Sequence, residues 1–255
     1  MQQLWLEEVK YDIELMERTM ARDFRMKAGN VFDFAPIKIN EIDKSIRPAL
    51  VVLMTRLFGG NRAKAITMSA VVQFIHFATV MHNNIKDNED KFKPQLPVLI
   101  GDYLYSKYFS YLAQYDALQY LAPLSEVICE IHTGGVIRKE VLEAGDSSPI
   151  EYYQNLKREY GLLMAEACRI AASISDISGN TEELAYKFGL NIGIAWGALQ
   201  EDIFPVLVSE SLAKATTLLM QFPEGETRGI LENLIQALDD CSHVLNQGKL
   251  ASNIS

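Results

Sequence analysis

The sequence predicts an all-α fold, and three observations carry that prediction. Apolar residues recur at helical spacing through most of the chain, helix start and stop signals bracket those stretches, and no alternating strand pattern or hairpin signal of useful length is present. No repeat at a fixed period is found either. With 255 residues, 49% of them hydrophobic, the chain can bury one sizeable core, so a single domain over 1–255 of about ten mostly core-facing helices is expected.

Residues 4–20 read as an amphipathic helix with Leu4, Val9, Ile13, Met16 and Met20 in register. Residues 28–43, with Gly29, Asn30, Pro36 and Asn40, read as a loop. A second helix is expected from about Ile46, with Pro48 in its first turn, to Phe58, where Gly59 and Gly60 stop it. Asn61 can cap the third. Residues 88–97 carry two prolines and read as a loop, followed by a tyrosine-rich helix over 99–120. Another helix covers 123–143, loosened at Gly134 and Gly135. Ser148, Pro149 and Glu151 form a capping-box start for a helix running to about Ser173. Gly179 and Asn180 stop it and cap the next, which ends near Pro205; two more follow over 208–221 and 226–246.

The third helix organises the rest. Over residues 73–87, Gln73, His76, Val80, Asn83 and Asp87 fall on one face with Thr79 beside them, while Phe74, Ile75, Phe77, Met81 and Ile85 cover the others. A polar stripe on so apolar a helix must meet partners. Either neighbours in the core satisfy it, or it lines a cavity that binds something polar.

A formal net charge of −9 makes nucleic acid and anionic membranes poor partners. Cys129, Cys168 and Cys241 are scattered and odd in number, which argues against a disulfide framework and fits a cytoplasmic location. The N-terminus has no signal-like segment, and the longest apolar stretches are interrupted by Arg56, or by Gln73 and His76, so no transmembrane segment is expected.

Several motifs in order resemble those of the trans-isoprenyl (polyprenyl) diphosphate synthases. Lys44-Ser45-Ile46-Arg47-Pro48 looks like the family's G-G-K-R-x-R-P start, and His76 stands at the family's distance from its first D-D-x-x-D. Gly101-Asp102-Tyr103-Leu104 matches G-D-Y-L, Tyr152-Tyr153 resembles the start of Y-L…K-T-A, and Gly193-Ile194-Ala195-Trp196 resembles the G-x-A-F before the second D-D-x-x-D. The resemblance implies an isoprenoid-synthase-type helical bundle around a central cavity. It implies prenyl transfer between an allylic diphosphate and isopentenyl diphosphate, with Mg²⁺ held by the two acidic motifs. It also implies a diphosphate site at Lys44, Arg47 and His76, whose ordinary alternative is a structural one: Arg47 paired with a carboxylate and His76 satisfied in the core.

The acidic motifs depart from the family pattern. The first reads Asn83, Asn84 and Asp87; the second reads either Gln200, Glu201 and Phe204 or Glu201, Asp202 and Pro205. Glu159-Tyr160 stands where the family has K-T, so a negative charge replaces a lysine, and the paired arginines after the first motif are missing. Mg²⁺ prefers anionic oxygens, so weak binding or none is expected. The reading that follows is a non-catalytic or regulatory subunit that partners a catalytic polyprenyl diphosphate synthase chain as a heterodimer, or pairs with itself. A diverged active prenyltransferase or terpene-synthase-like enzyme and an isoprenoid-binding protein remain as alternatives. The tyrosine-rich helix is the expected partner surface, with packing inside the chain as its alternative.

Overall fold

The computed structural model describes residues 4–23, 25–26, 29–30, 40–83, 95–142, 148–201 and 205–252. Its architecture is helical, as the periodicity requires. In chain order the helices are α1 (Leu4–Asp23), α2 (Glu41–Leu57), α3 (Arg62–Asn83), α4 (Gln95–Gln114), α5 (Leu121–Ile137), α6 (Pro149–Leu156), α7 (Leu162–Ser173), α8 (Asn180–Gln200), α9 (Pro205–Leu219) and α10 (Glu226–Ser252). One small hairpin departs from the expectation: β1 (Arg25–Met26) pairs antiparallel with β2 (Gly29–Asn30). Two-residue strands are too short for alternation to be read from sequence.

α3 is the central rod. Every residue from Met68 to Thr79 is buried, and α4, α2, α1 and α7 pack around it. Asn61 Oδ1 accepts from the Lys64 amide at 3.1 Å, the cap its position predicted. By length and hydropathy alone α3 could cross a membrane despite Gln73 and His76, but 83% of its apolar window is buried inside the bundle. It is an interior helix.

Several boundaries differ from the expected ones, each for a local reason. α2 begins at Glu41 rather than Ile46, because Asn40 Oδ1 accepts from the Asp43 amide at 2.7 Å and caps it. Pro48 therefore lies inside the helix and leaves the Lys44 carbonyl without its helical donor. Gln73 Nε2 of α3 donates to that carbonyl at 3.0 Å and replaces the lost bond. α1 turns Trp5 inward, 2% exposed, and leaves Leu4 at 58%. α4 starts at Gln95, with Pro97 in its first turn, and stops at Gln114; Asp116 then adopts φ 54° before a 3₁₀ turn over Leu118–Tyr120. Gly134 and Gly135 stay helical, and the loosening comes just after them, as a π turn over Arg138–Leu142. A second π turn, Lys157–Gly161, interrupts the helix expected from Pro149 to Ser173. The Ser148–Glu151 capping box is present as expected. Asn180 is the first residue of α8 rather than its cap, which is Gly179. α8 ends at Gln200, Pro205 opens α9, and α10 runs on to Ser252.

The tyrosines of residues 99–120 are mostly used inside the chain. Tyr108, Tyr111 and Tyr120 are buried. The Tyr120 hydroxyl donates to Ser173 Oγ at 2.8 Å, and Tyr108 shares a hydrogen bond with Ser125 at 2.9 Å. Leu96, Leu99 and Phe109 of α4 are exposed, Leu99 by 63%, among exposed polar residues that include Asp102, Ser106 and Ser110.

Candidate functional site

At one end of the bundle, α2, α3, α5, the two π turns and the end of α8 surround a polar cavity of about 370 Å³. Val80 and Ile131 give it apolar wall, and Asp43, Arg47, His76, Thr79, Asn83, Arg138, Lys139, Glu159, Tyr160, Gln200 and Glu201 give it polar groups. Of the stripe read from α3, His76, Thr79, Val80 and Asn83 line this cavity, while Gln73 turns to the Lys44 carbonyl; His76 and Thr79 also meet polar neighbours. Asn84, Asp87 and Asp202 lie outside the described residues.

Two hydrogen-bonded groups occupy the cavity wall. The first joins α2, α3 and α8. Arg47, 3% exposed, donates Nη1 to Asp43 Oδ1 at 2.9 Å and to the Asp43 carbonyl at 2.9 Å. Trp196 Nε1 donates to the same Oδ1 at 2.8 Å, and His76 Nε2 lies 3.2 Å from Oδ2 and 3.3 Å from Arg47 Nη1. Burial alone would raise the Asp43 carboxyl; the Arg47 charge and the His76 contact hold it well below the usual carboxylate range. Burial first, then the Arg47 charge, push His76 down, so its ring is neutral near pH 7. Lys44 points away to a salt bridge with Glu17 of α1 at 2.5 Å.

The second group joins the two π turns to the end of α8. Arg138 Nε donates to both oxygens of Glu159, at 3.2 and 2.9 Å, and its other nitrogens reach Glu159 Oε2 and Glu201 Oε2. Asn155 Nδ2 donates to Glu159 Oε2 at 2.9 Å, and the Tyr160 hydroxyl donates to Glu201 Oε1 at 2.8 Å. Burial alone would lower the Arg138 guanidinium; the Glu159 and Glu201 carboxylates outweigh it and hold the group protonated. Burial, then the Glu201 charge, push the Tyr160 hydroxyl far up, so it stays a donor. Gln200, the last residue of α8, accepts from Asn40 Nδ2 at 3.3 Å. Asn83 borders Gly135, 3.5 Å from where a Cβ would stand there.

Sequence reasoning brought Arg47, His76, Asn83, Gln200 and Glu201 to one cavity, with Lys44 turned outward. It missed Asp43 and Arg138. The i, i+4 spacing of Asp43 and Arg47 is a readable helical pair, but a helix start placed at Ile46 left Asp43 in a loop. Arg138 meets its partners across 21 and 63 positions, which no local period reveals.

The described residues do not fit Mg²⁺, the ion that the acidic motifs of the resembled family imply. Both oxygens of Glu159 and both of Glu201 already accept from Arg138, Asn155 or Tyr160. Among the described residues no three His, Cys, Asp or Glu side chains are placed to hold a metal ion.

Protonation gives this site a pH signature. His76 is depressed, so below its unfolded value of about 6.5 the unfolded chain binds a proton that the fold refuses. Stability therefore falls as pH drops through that value, and falls again below about pH 5 as the unfolded Asp43 protonates. Buried Glu166 on α7 is raised and acts in the opposite direction. The melting temperature is expected to fall from pH 7.5 to 5.5, and by less in His76→Gln. An equal fall in both proteins would remove His76 from the explanation.

Fold and cavity together define the class: a helical bundle with a polar mouth at one end, of the isoprenoid-synthase type. The chain belongs to the polyprenyl synthetase family, whose model matches residues 38–216. It is 24% identical over 225 residues to a prenyl transferase of Cyanidium caldarium, covering 83% of this chain and 70% of that protein. It is 28% identical over 188 residues to geranylgeranyl diphosphate synthase of Sulfolobus acidocaldarius, covering 66% of this chain and 56% of that protein. In fold it is similar to a polyprenyl synthase of Caulobacter crescentus, solved with calcium and isoprenyl diphosphate (TM-score 0.82, 17% identity, 93% of this chain and 96% of that one). It is also similar to the geranyl diphosphate synthase small subunit of Antirrhinum majus (TM-score 0.72, 19% identity, 92% and 99%).

Proposed function

We propose that this chain is a non-catalytic, regulatory subunit of isoprenoid biosynthesis that associates with a catalytic polyprenyl diphosphate synthase in the cytoplasm. One observation carries the reading: the described carboxylates of the cavity are each paired within the same chain, Asp43 with Arg47, and Glu159 and Glu201 together with Arg138. Among the described residues this leaves no unpaired acid in the cavity to gather divalent cations around a leaving diphosphate. The cations expected at a diphosphate site are engaged as well. Lys44 holds Glu17 and Arg47 holds Asp43, so isopentenyl or allylic diphosphate must displace a carboxylate to bind there. Of the two readings of Arg47 and His76, this supports the structural one. The similarity to a small subunit supports the fold of such a role.

The partner surface proposed here is the outer face of α4, where Leu96, Leu99 and Phe109 are exposed, and not the tyrosines. An obligate interface buries exposed apolar side chains such as these. The test is co-expression with a full-length homologue that keeps both acidic motifs, read by size-exclusion chromatography with light scattering. A stable heteromer is expected, and Leu99→Asp with Phe109→Asp should abolish it without lowering the melting temperature of the isolated chain. Failure of the unaltered chain to co-elute would overturn the reading.

A further inference from the structure

The second polar group places a cation at the cavity mouth without any ion from solution. The guanidinium of Arg138 lies between Glu159, on the Lys157–Gly161 π turn, and Glu201, at the C-terminal cap of α8. These two elements are covalently remote, and each brings an acid that is largely shielded: the side chains of Glu159 and Glu201 are 8% and 19% exposed. Two such carboxylates repel each other strongly in a partly dry site unless a cation stands between them. Arginine suits that position, because its planar fork carries five donors and can serve two carboxylates at once. Each carboxylate has one further donor: Asn155 for Glu159 and the Tyr160 hydroxyl for Glu201. Asn83 borders the same space and brings no charge.

We propose that the Arg138 guanidinium is a tethered replacement for a divalent cation, bridging Glu159 and Glu201 across the cavity mouth, and that its removal leaves a carboxylate pair that takes up a divalent cation in its place. The same arrangement makes the unaltered chain indifferent to Mg²⁺. The proposal deepens the reading of the cavity as metal-independent. Its readout involves neither partner nor prenyl substrate, so it is scored separately from heteromer formation.

The test compares the unaltered chain with Arg138→Ala and with Arg138→Gln, which keeps a donor for Glu159 and so most of the local packing. Free Mn²⁺ is followed by electron paramagnetic resonance during titration, and melting temperatures are taken with and without MgCl₂ at matched ionic strength. The unaltered chain should melt at the same temperature in both buffers. The variants should melt about 5–10 °C lower without divalent cation. They should recover part of that loss with Mg²⁺ and bind Mn²⁺ at least about tenfold more tightly than the unaltered chain, through the gain in uncompensated negative charge. Adding Glu201→Gln should abolish the uptake. If the alanine variant is recovered only in the presence of divalent cation, that supports the proposal. Stoichiometric Mn²⁺ binding by the unaltered chain that Glu201→Gln removes would overturn it, as would Arg138→Gln that neither loses stability nor takes up Mn²⁺.

Discussion

Replacing Gly193 by alanine is expected to lower the stability of this chain by about 3 kcal/mol or more, among the largest effects available from one methyl group. Gly193 lies on α8 where that helix presses against the Lys157–Gly161 π turn. A Cβ there would stand 2.6 Å from the Tyr160 carbonyl oxygen and 2.7 Å from the Gly161 Cα. Both neighbours are backbone, so no side chain can rotate away; the turn and the helix must part. Parting them also moves Tyr160, whose hydroxyl holds Glu201. The loss should appear as a drop in melting temperature of about 6–12 °C. Gly229→Ala on α10 is the control, because a Cβ at that position meets nothing within 4 Å. There alanine should be neutral or stabilising by up to about 1 kcal/mol. Equal melting temperatures for the two variants would show that the α8 contact is looser than described.

The second large effect is an absence of turnover that simple repair does not reverse. Purified alone with Mg²⁺, isopentenyl diphosphate and an allylic diphosphate, the chain should form no detectable prenyl product. Loss of a single group that stabilises developing charge costs roughly 10²–10³ in rate, and here several are replaced together. Asn83→Asp with Asn84→Asp should not restore activity. Glu201 would still be bound by Arg138 and Tyr160, and Glu159 would still put a negative charge where the resembled family has a lysine. Turnover by the unaltered chain that Asp87→Ala or Glu201→Ala abolishes would contradict this and favour a diverged enzyme.

The fold was legible where the signal is local. The Ser148–Pro149–Glu151 start, the Asn61 cap and the stop at Gly59, which adopts φ 71°, all stand where the residue types demanded them. Local signals misled where a distant residue repairs a defect. Pro48 reads as a first-turn proline because a proline deeper in a helix leaves a carbonyl unpaired, and only Gln73, on another helix, makes the longer α2 acceptable. The end of α4 carries no glycine; Asp116 itself takes the positive φ, a conformation with weak sequence marking. Tyrosine content suggested an outward face, but the hydroxyls of Tyr108 and Tyr120 find interior partners that periodicity cannot supply. The site was half legible for the same reason. The changed motif residues can be read in the sequence, whereas Arg138, which bridges Glu159 and Glu201, becomes visible only when three separate segments are brought together.

The most direct measurement is the product profile of a catalytic homologue with and without this chain. The homologue is assayed with radiolabelled isopentenyl diphosphate, first alone and then as the co-expressed heteromer, and products are separated by chain length. The heteromer is expected to make products of different length, or at a different rate, from the homologue alone. Arg47→Ala or Glu201→Ala in this chain should leave that difference largely intact wherever the heteromer still forms. A homologue whose products and rate are the same with and without this chain would contradict a regulatory role.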